Sequence, residues 1–218
     1  TIRKLERLID PKSSDLCGIP KGSDGLELRL SNTYFVSLDN LSNLSRNMSD
    51  TLARAVTGGV VTKRALYENT AEIVLDIKAL IAMNGVSLVA RESDLLDRSL
   101  IITLERISPN EMKTEAEIWK SFEKDRPKIL GACFLVLAEA LNDTSPLEAN
   151  DLIRMTDFHV ACEKVGRALG LSAEEVSELL WSNQKNINQQ SLNEDMVGLC
   201  IMELMSEKQK YKNSVTGL

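Results

Sequence analysis

The strongest constraint on how this chain can fold is a set of three short apolar runs, each bordered by polar side chains. Tyr34-Phe35-Val36-Ser37-Leu38 runs directly into Asp39 and Asn40. Residues 77–83 are mostly apolar and end at Asn84, immediately before Gly85. The third run, residues 99–105, follows Asp97 and Arg98. Near-continuous apolar runs rich in strand formers belong to strands covered on both faces, the usual case in a parallel sheet. In open α/β sheets, polar groups at the carboxyl ends of such strands gather at one edge. The pattern therefore predicts a parallel sheet with one polar site formed by Asp39, Asn84 and Arg98.

The order and spacing of these segments resemble the second half of a P-loop ATPase core of the AAA+ and superfamily III helicase type, as found in primase-helicase proteins of phages and other mobile elements. In that resemblance residues 35–40 correspond to the Walker B strand, and residues 57–67, opening on Thr57-Gly58-Gly59, to the hairpin segment. Asn84 corresponds to the sensor 1 asparagine, and residues 94–99 to the element that carries an arginine finger, Arg98. Residues 126–131 and 154–158 match more weakly. The fold implied is α/β, a partial P-loop NTPase (AAA+-like) parallel sheet core over residues 1–107 followed by an all-helical lid over residues 108–218. The activity implied is ATP hydrolysis with Mg2+, coupled to movement on single-stranded DNA. The working form implied is a homo-oligomeric ring, a hexamer, acting with a primase domain or partner.

Each residue also has a reading of its own. Asp39 suits a hard cation that bridges phosphate oxygens, because Mg2+ prefers oxygen ligands; the plain alternative is a turn cap. Asn40 stands where the resembling family has a glutamate base, and an amide cannot accept a proton from water. Asn84 can both donate to and accept from a water or a phosphate, and as Asn-Gly it also reads as a turn. Arg91 and Arg98 flank a short helix; Arg98 is either a finger for a neighbouring copy or the partner of Asp94 or Asp97. Arg126 and Lys128 are the lid cations the resemblance points to near the nucleotide, or helix-start charges. Lys63 and Arg64, beyond the two glycines, are the DNA-contact candidates, each able to neutralise one phosphate.

The loop that cradles phosphates in such ATPases, Gly-x-x-x-x-Gly-Lys followed by Ser or Thr, is absent from the sequence. That loop's amides and lysine hold the phosphates, so the expectation is a fragment that begins at or just after the loop and that by itself binds ATP poorly and is inactive. Without it, the competing expectation is a non-catalytic relative that binds DNA or a replication partner.

Composition narrows the field. With 218 residues, 43% of them hydrophobic, the chain can bury a core, and a net charge of −6 restricts any DNA contact to local basic loops. Cys17, Cys133, Cys162 and Cys200 are scattered without a Cys-x-x-Cys pair, which reads as buried reduced thiols of a cytoplasmic protein rather than a zinc site. No apolar run approaches the ~20 residues a membrane span needs. A single histidine, His159, and the lack of a nucleophile elbow leave little for a metalloenzyme or a nucleophilic hydrolase.

Periodicity supplies the remaining elements. Ile2, Leu5 and Leu8 predict a helix ended by Asp10-Pro11. Leu26, Leu28 and Leu30 alternate as a strand would, whereas the resemblance implies a helix there. A short helix is expected over residues 51–56, capped by Ser49 or Asp50 and stopped by Gly58. From residue 111 onward the chain reads as helices over 115–122, 127–142, 146–169, 173–182 and 192–206. Residues 165–180 look like a helix-turn-helix, but Glu174, Glu175 and Glu178 on its second helix would be repelled by phosphates, which favours packing over DNA reading.

Overall fold

The computed structural model describes residues 2–11, 23–64, 72–86, 89–90, 92–194 and 196–207. Helix α1 (Ile2–Ile9) runs beside the first strand, β1 (Phe35–Leu38), whose four residues are all buried. Strand β4 (Leu80–Met83) pairs with β1 in parallel, Phe35 opposite Leu80 and Leu38 opposite Met83. The pair is pinned at its start, where the Asp10 carboxylate accepts from the Phe35 amide at 3.1 Å and the Leu80 amide donates to the Tyr34 carbonyl at 2.8 Å.

Helix α2 (Ser23–Asn32) settles the segment whose leucines alternate. Leu26 and Leu30 are fully buried one helical turn apart, while Leu28 turns outward, half exposed. Helix α3 (Arg46–Thr57) begins five residues before the expected start, because Ser45 is the cap and accepts from the Met48 amide. It ends, as expected, at Gly58, whose φ of 90° suits glycine and is strained for other residues. The Gly-Gly segment does open a hairpin. Strand β2 (Gly59–Arg64) pairs antiparallel with β3 (Glu72–Ile77), and the base of β3 packs on α2. The strand expected from residue 77 is thus split: Ile77 closes β3, and β4 starts at Leu80 after the Ala79 amide donates to the Ala55 carbonyl.

The third expected strand, residues 99–105, does not form. A strand needs a ladder of partners. Here Ile101 bonds instead to the Asn183 carboxamide, which donates to its carbonyl at 2.8 Å and accepts from its amide at 3.3 Å, and Ser99 bonds back to the Leu95 and Leu96 carbonyls. Leu100, Ile102 and Leu104 remain exposed on either side. The parallel sheet is therefore two-stranded among the described residues.

The short α4 (Ser93–Leu96) closes the first core, in which Leu38, Leu41, Leu52, Ile77, Leu95 and Ile187 are buried together. Then α5 (Glu115–Asn142) runs as one helix where two were expected. Pro127 removes a single amide donor from a helix otherwise held by a full capping box at Thr114 and Glu117. Helix α6 (Thr156–Ala168) is shorter than expected, and residues 143–155 form an irregular segment laid over it. Helix α7 (Ala173–Glu194) is longer than expected, and α8 (Met196–Glu207) follows. Helices α6 and α7 are joined by a short turn and are packed tightly: a Cβ on Gly166 would collide with the Val176 side chain. Cys133 and Cys200 are exposed and only Cys162 is half-buried, correcting the expectation of buried thiols; Cys17 lies outside the described residues.

A candidate functional site at the end of the parallel pair

Parallel pairing brings the carboxyl ends of β1 and β4 side by side, so Asp39 and Asn84, 45 positions apart in sequence, arrive at the same edge. Backbone bonds lock the meeting point. The Asn84 amide donates to the Leu38 carbonyl at 3.1 Å, and the Leu41 amide donates to the Asn84 carbonyl at 3.0 Å. Between them sits Asn40, the one non-glycine residue with positive φ among the described residues, at 55°. Asparagine tolerates that left-handed conformation better than most residues, and strained backbone of this kind concentrates at functional sites. Its amide donates to Asn84 Oδ1 at 2.7 Å. That bond fixes which way the Asn84 carboxamide faces and leaves its NH2 as the end able to donate to a ligand.

A cleft of about 340 Å³ opens over this edge, lined by Ile2, Arg3, Lys4, Asp39, Asn84, Glu115, Ile118 and Trp119. Its floor is a carboxylate and an amide. One wall is the amino-terminal turn of α1 with two cations, and the other is the first turns of α5 with an indole and an isoleucine. Arg3 meets Glu115 across it at 3.0 Å. Trp119 rests edge-on against Phe122, over which Lys4 Nζ lies 5.6 Å from the ring centre. Beneath the floor, the buried Glu6 carboxylate accepts from Ser37 Oγ at 2.8 Å, tying α1 to β1. Arg3, Lys4, Glu115, Ile118 and Trp119 were not singled out from the sequence. The helical pattern around 118–122 was legible, but which side of it faces Asp39 depends on the fold.

The other anticipated residues lie elsewhere. Arg98 folds back on its own helix, donating to the Asp94 carbonyl at 2.6 Å and pairing with the Asp94 carboxylate. The Arg98 hydrogen bond is the main reason the Asp94 carboxyl is held below its ordinary 3.8, with Arg154 adding to it. Arg154 bridges Asp94 and Asp97 at 3.1 and 2.7 Å, and Gln184 donates to Asp97 at 3.1 Å, so α4 is fastened to the helical region. Arg126 pairs with Glu123 at 3.1 Å, and neither it nor Lys128 lines the cleft. Lys63 and Arg64 are the last two residues of β2, opposite Ile73 and Glu72, and so lead into the hairpin's far end; residues 65–71 lie outside the described residues, as does Arg91.

As a metal site the cleft suits Mg2+ only in company. Asp39 offers one hard oxygen donor, and Mg2+ commonly takes one or two carboxylates together with substrate phosphates and waters. His159 has no such role. It is fully buried in α6, accepting from the Ile153 amide at 3.3 Å through Nδ1 and bonded to Ser177 Oγ at 3.2 Å through Nε2. No helix among the described residues is long and apolar enough to cross a membrane.

The profile of the actinomycete integrative conjugative element replication protein family matches residues 1–179, and the chain belongs to that family. No curated protein and no solved structure matches it. The primase-helicase resemblance is thus met at the level of a mobile-element replication protein.

Proposed function

We propose that this replication protein is an ATPase of the P-loop helicase type and that the cleft over Asp39 and Asn84 is its nucleotide site, driving movement on single-stranded DNA. One observation carries the reading: the amino-terminal turn of a helix, a strand-end carboxylate and a strand-end amide converge on a single cleft. A helix start favours anionic phosphate through its free amides and its dipole. Asp39 would hold Mg2+, which neutralises charge on the transferring phosphoryl group. The Asn84 NH2 would orient water or touch the terminal phosphate, and Arg3 and Lys4 would contribute positive charge beside it. Lys63 and Arg64 would meet the DNA backbone. For Arg98 to serve a neighbouring copy in a ring, it would have to leave Asp94.

The test is ATP hydrolysis, with and without single-stranded DNA, by a chain that also carries a phosphate-binding loop ahead of Thr1. Asp39→Asn and Asn84→Ala should each lower turnover by about 100-fold while leaving the far-ultraviolet circular dichroism unchanged. Hydrolysis indifferent to both would sink the assignment. A second reading, binding without turnover, is favoured by Asn40, which supplies no base where a glutamate would. It predicts DNA affinity unaffected by Asp39→Asn and no ATP hydrolysis in the parent protein.

A further inference from the structure

The charged side chains that line the cleft cancel one another. Arg3 and Lys4 stand on one wall, Asp39 on the floor and Glu115 on the other wall. Both cations are engaged by α5. One carboxylate oxygen of Glu115 accepts from Arg3 at 3.0 Å and from the Trp119 indole at 3.4 Å, and Lys4 lies over the Phe122 ring. Glu115 is not needed to start its helix, because Thr114 and Glu117 close the capping box there. Nor does its pair with Arg3 hold α1 to α5. Both side chains are well exposed, Arg3 to 46% and Glu115 to 72%, and a pair so placed adds little to stability. Arg7 and Glu123, at 3.5 Å, join the same two helices further along. What remains for Glu115 is the electrostatic effect of a carboxylate on whatever enters the cleft.

We propose that Glu115 is a charge filter that admits a polyphosphate as its magnesium complex and disfavours the metal-free form. The inference rests on the nucleotide reading of the cleft. A phosphate chain that takes Arg3 has to draw it away from the Glu115 carboxylate and then lie beside that carboxylate. The repulsion between like charges grows with their product, and magnesium cancels about half the charge of a triphosphate, so the metal-free form meets about twice the penalty. Asp39 biases the cleft in the same direction by a different route, since it attracts the bound cation itself. Glu115 needs no contact with the metal. Its effect passes through Arg3.

The experiment is a nuclear magnetic resonance titration of the chain, read at the Trp119 indole N–H, the group bonded to Glu115. ATP is added with excess Mg2+ in one series and with EDTA in the other, and such a titration follows weak binding as well as tight. The parent chain should bind the magnesium complex more tightly. Glu115→Gln keeps the shape and removes the charge. It should leave the melting temperature unchanged, raise affinity for metal-free ATP about 10-fold and raise that for the magnesium complex about threefold. Adding Arg3→Gln should return both affinities to the parent's or below. Equal gains for the two forms, no gain for either, or gains that survive Arg3→Gln would each overturn the proposal. So would a loss for the magnesium complex, the mark of a carboxylate that holds the metal. A Trp119 signal that ignores ATP in both series and in both the parent and Glu115→Gln chains would sink the nucleotide reading, and this inference with it.

Discussion

The two halves of this molecule are stabilised in different ways. Around β1 and β4 the core is apolar and continuous, running from Leu26 and Leu30 through Val36 and Leu38 to Leu52, Ala55 and Leu95, all at 2% exposure or less. The helical region has a much smaller one, Ile153, Val176 and Leu180, with Met155, Phe158 and Leu171 leaning on it. What it has in addition is a buried polar staple. The Glu163 carboxylate, fully enclosed, accepts from the Glu148 amide at 3.0 Å and the Ala149 amide at 3.2 Å and pairs with Arg167, which also reaches Asp143 at 2.7 Å. Those bonds lay residues 143–155 onto α6 where apolar contact is scarce. Hydrophobic burial is non-directional and insensitive to pH, whereas a staple of this kind is specific and depends on its charge.

The largest effect expected from this difference lies in the apolar half. Leu52→Ala removes a fully buried side chain from the centre of the first core and should cost about 3 kcal/mol, with a cavity term included, in a denaturant titration. A loss below about 1 kcal/mol would mean that the core is looser than its burial implies. Glu163→Gln comes next. It keeps the shape but replaces one accepting oxygen with a donor that faces other donors, so a loss of about 2 kcal/mol is expected. Hydrogen exchange should quicken over residues 143–155 while β1 and β4 stay protected, and uniform quickening would contradict the division drawn here.

The smallest effect is in acid. The Ser145 hydrogen bonds, then Arg167, hold the Asp143 carboxyl at about 2, below its ordinary 3.8. Burial alone would raise Glu163, but the Glu148 and Ala149 amides and Arg167 outweigh it, and its carboxyl sits below 4.5. Folded values below unfolded ones mean stabilisation that is complete above the ordinary range and lost as pH falls through the folded values. The helical region should therefore loosen between about pH 4 and pH 2, followed by Trp181, whose indole donates to the Asp151 carbonyl at 3.2 Å. Loss of both halves at the same pH would remove the distinction.

How much of this was legible in the sequence follows the same line. The β1 run and its terminal Asp39 were readable because a fully buried strand needs uninterrupted apolar residues, and α1 and the Gly-Gly hairpin were readable from local spacing and turn chemistry. The run at 99–105 has the composition of a strand but no partner, and composition says nothing about partners. Pro127 was read as a boundary, yet α5 passes through it. The site was half legible: Asp39 and Asn84 announce themselves at strand ends, but Trp119, Ile118 and Arg3 join them only through the packing of α1 against α5. Arg98 shows the limit most plainly, since its tie to Asp94 is a contact one helical turn away that the sequence allowed alongside a contact with another copy.

The most direct test of the proposed nucleotide site uses Trp119 itself, one of only two tryptophans in the chain. In a Trp181→Phe background, indole fluorescence should change saturably as ATP is added with Mg2+, and Asp39→Ala should abolish the Mg2+ dependence. A Trp119 signal that stays constant through millimolar ATP and Mg2+ would contradict the account of what this cleft holds.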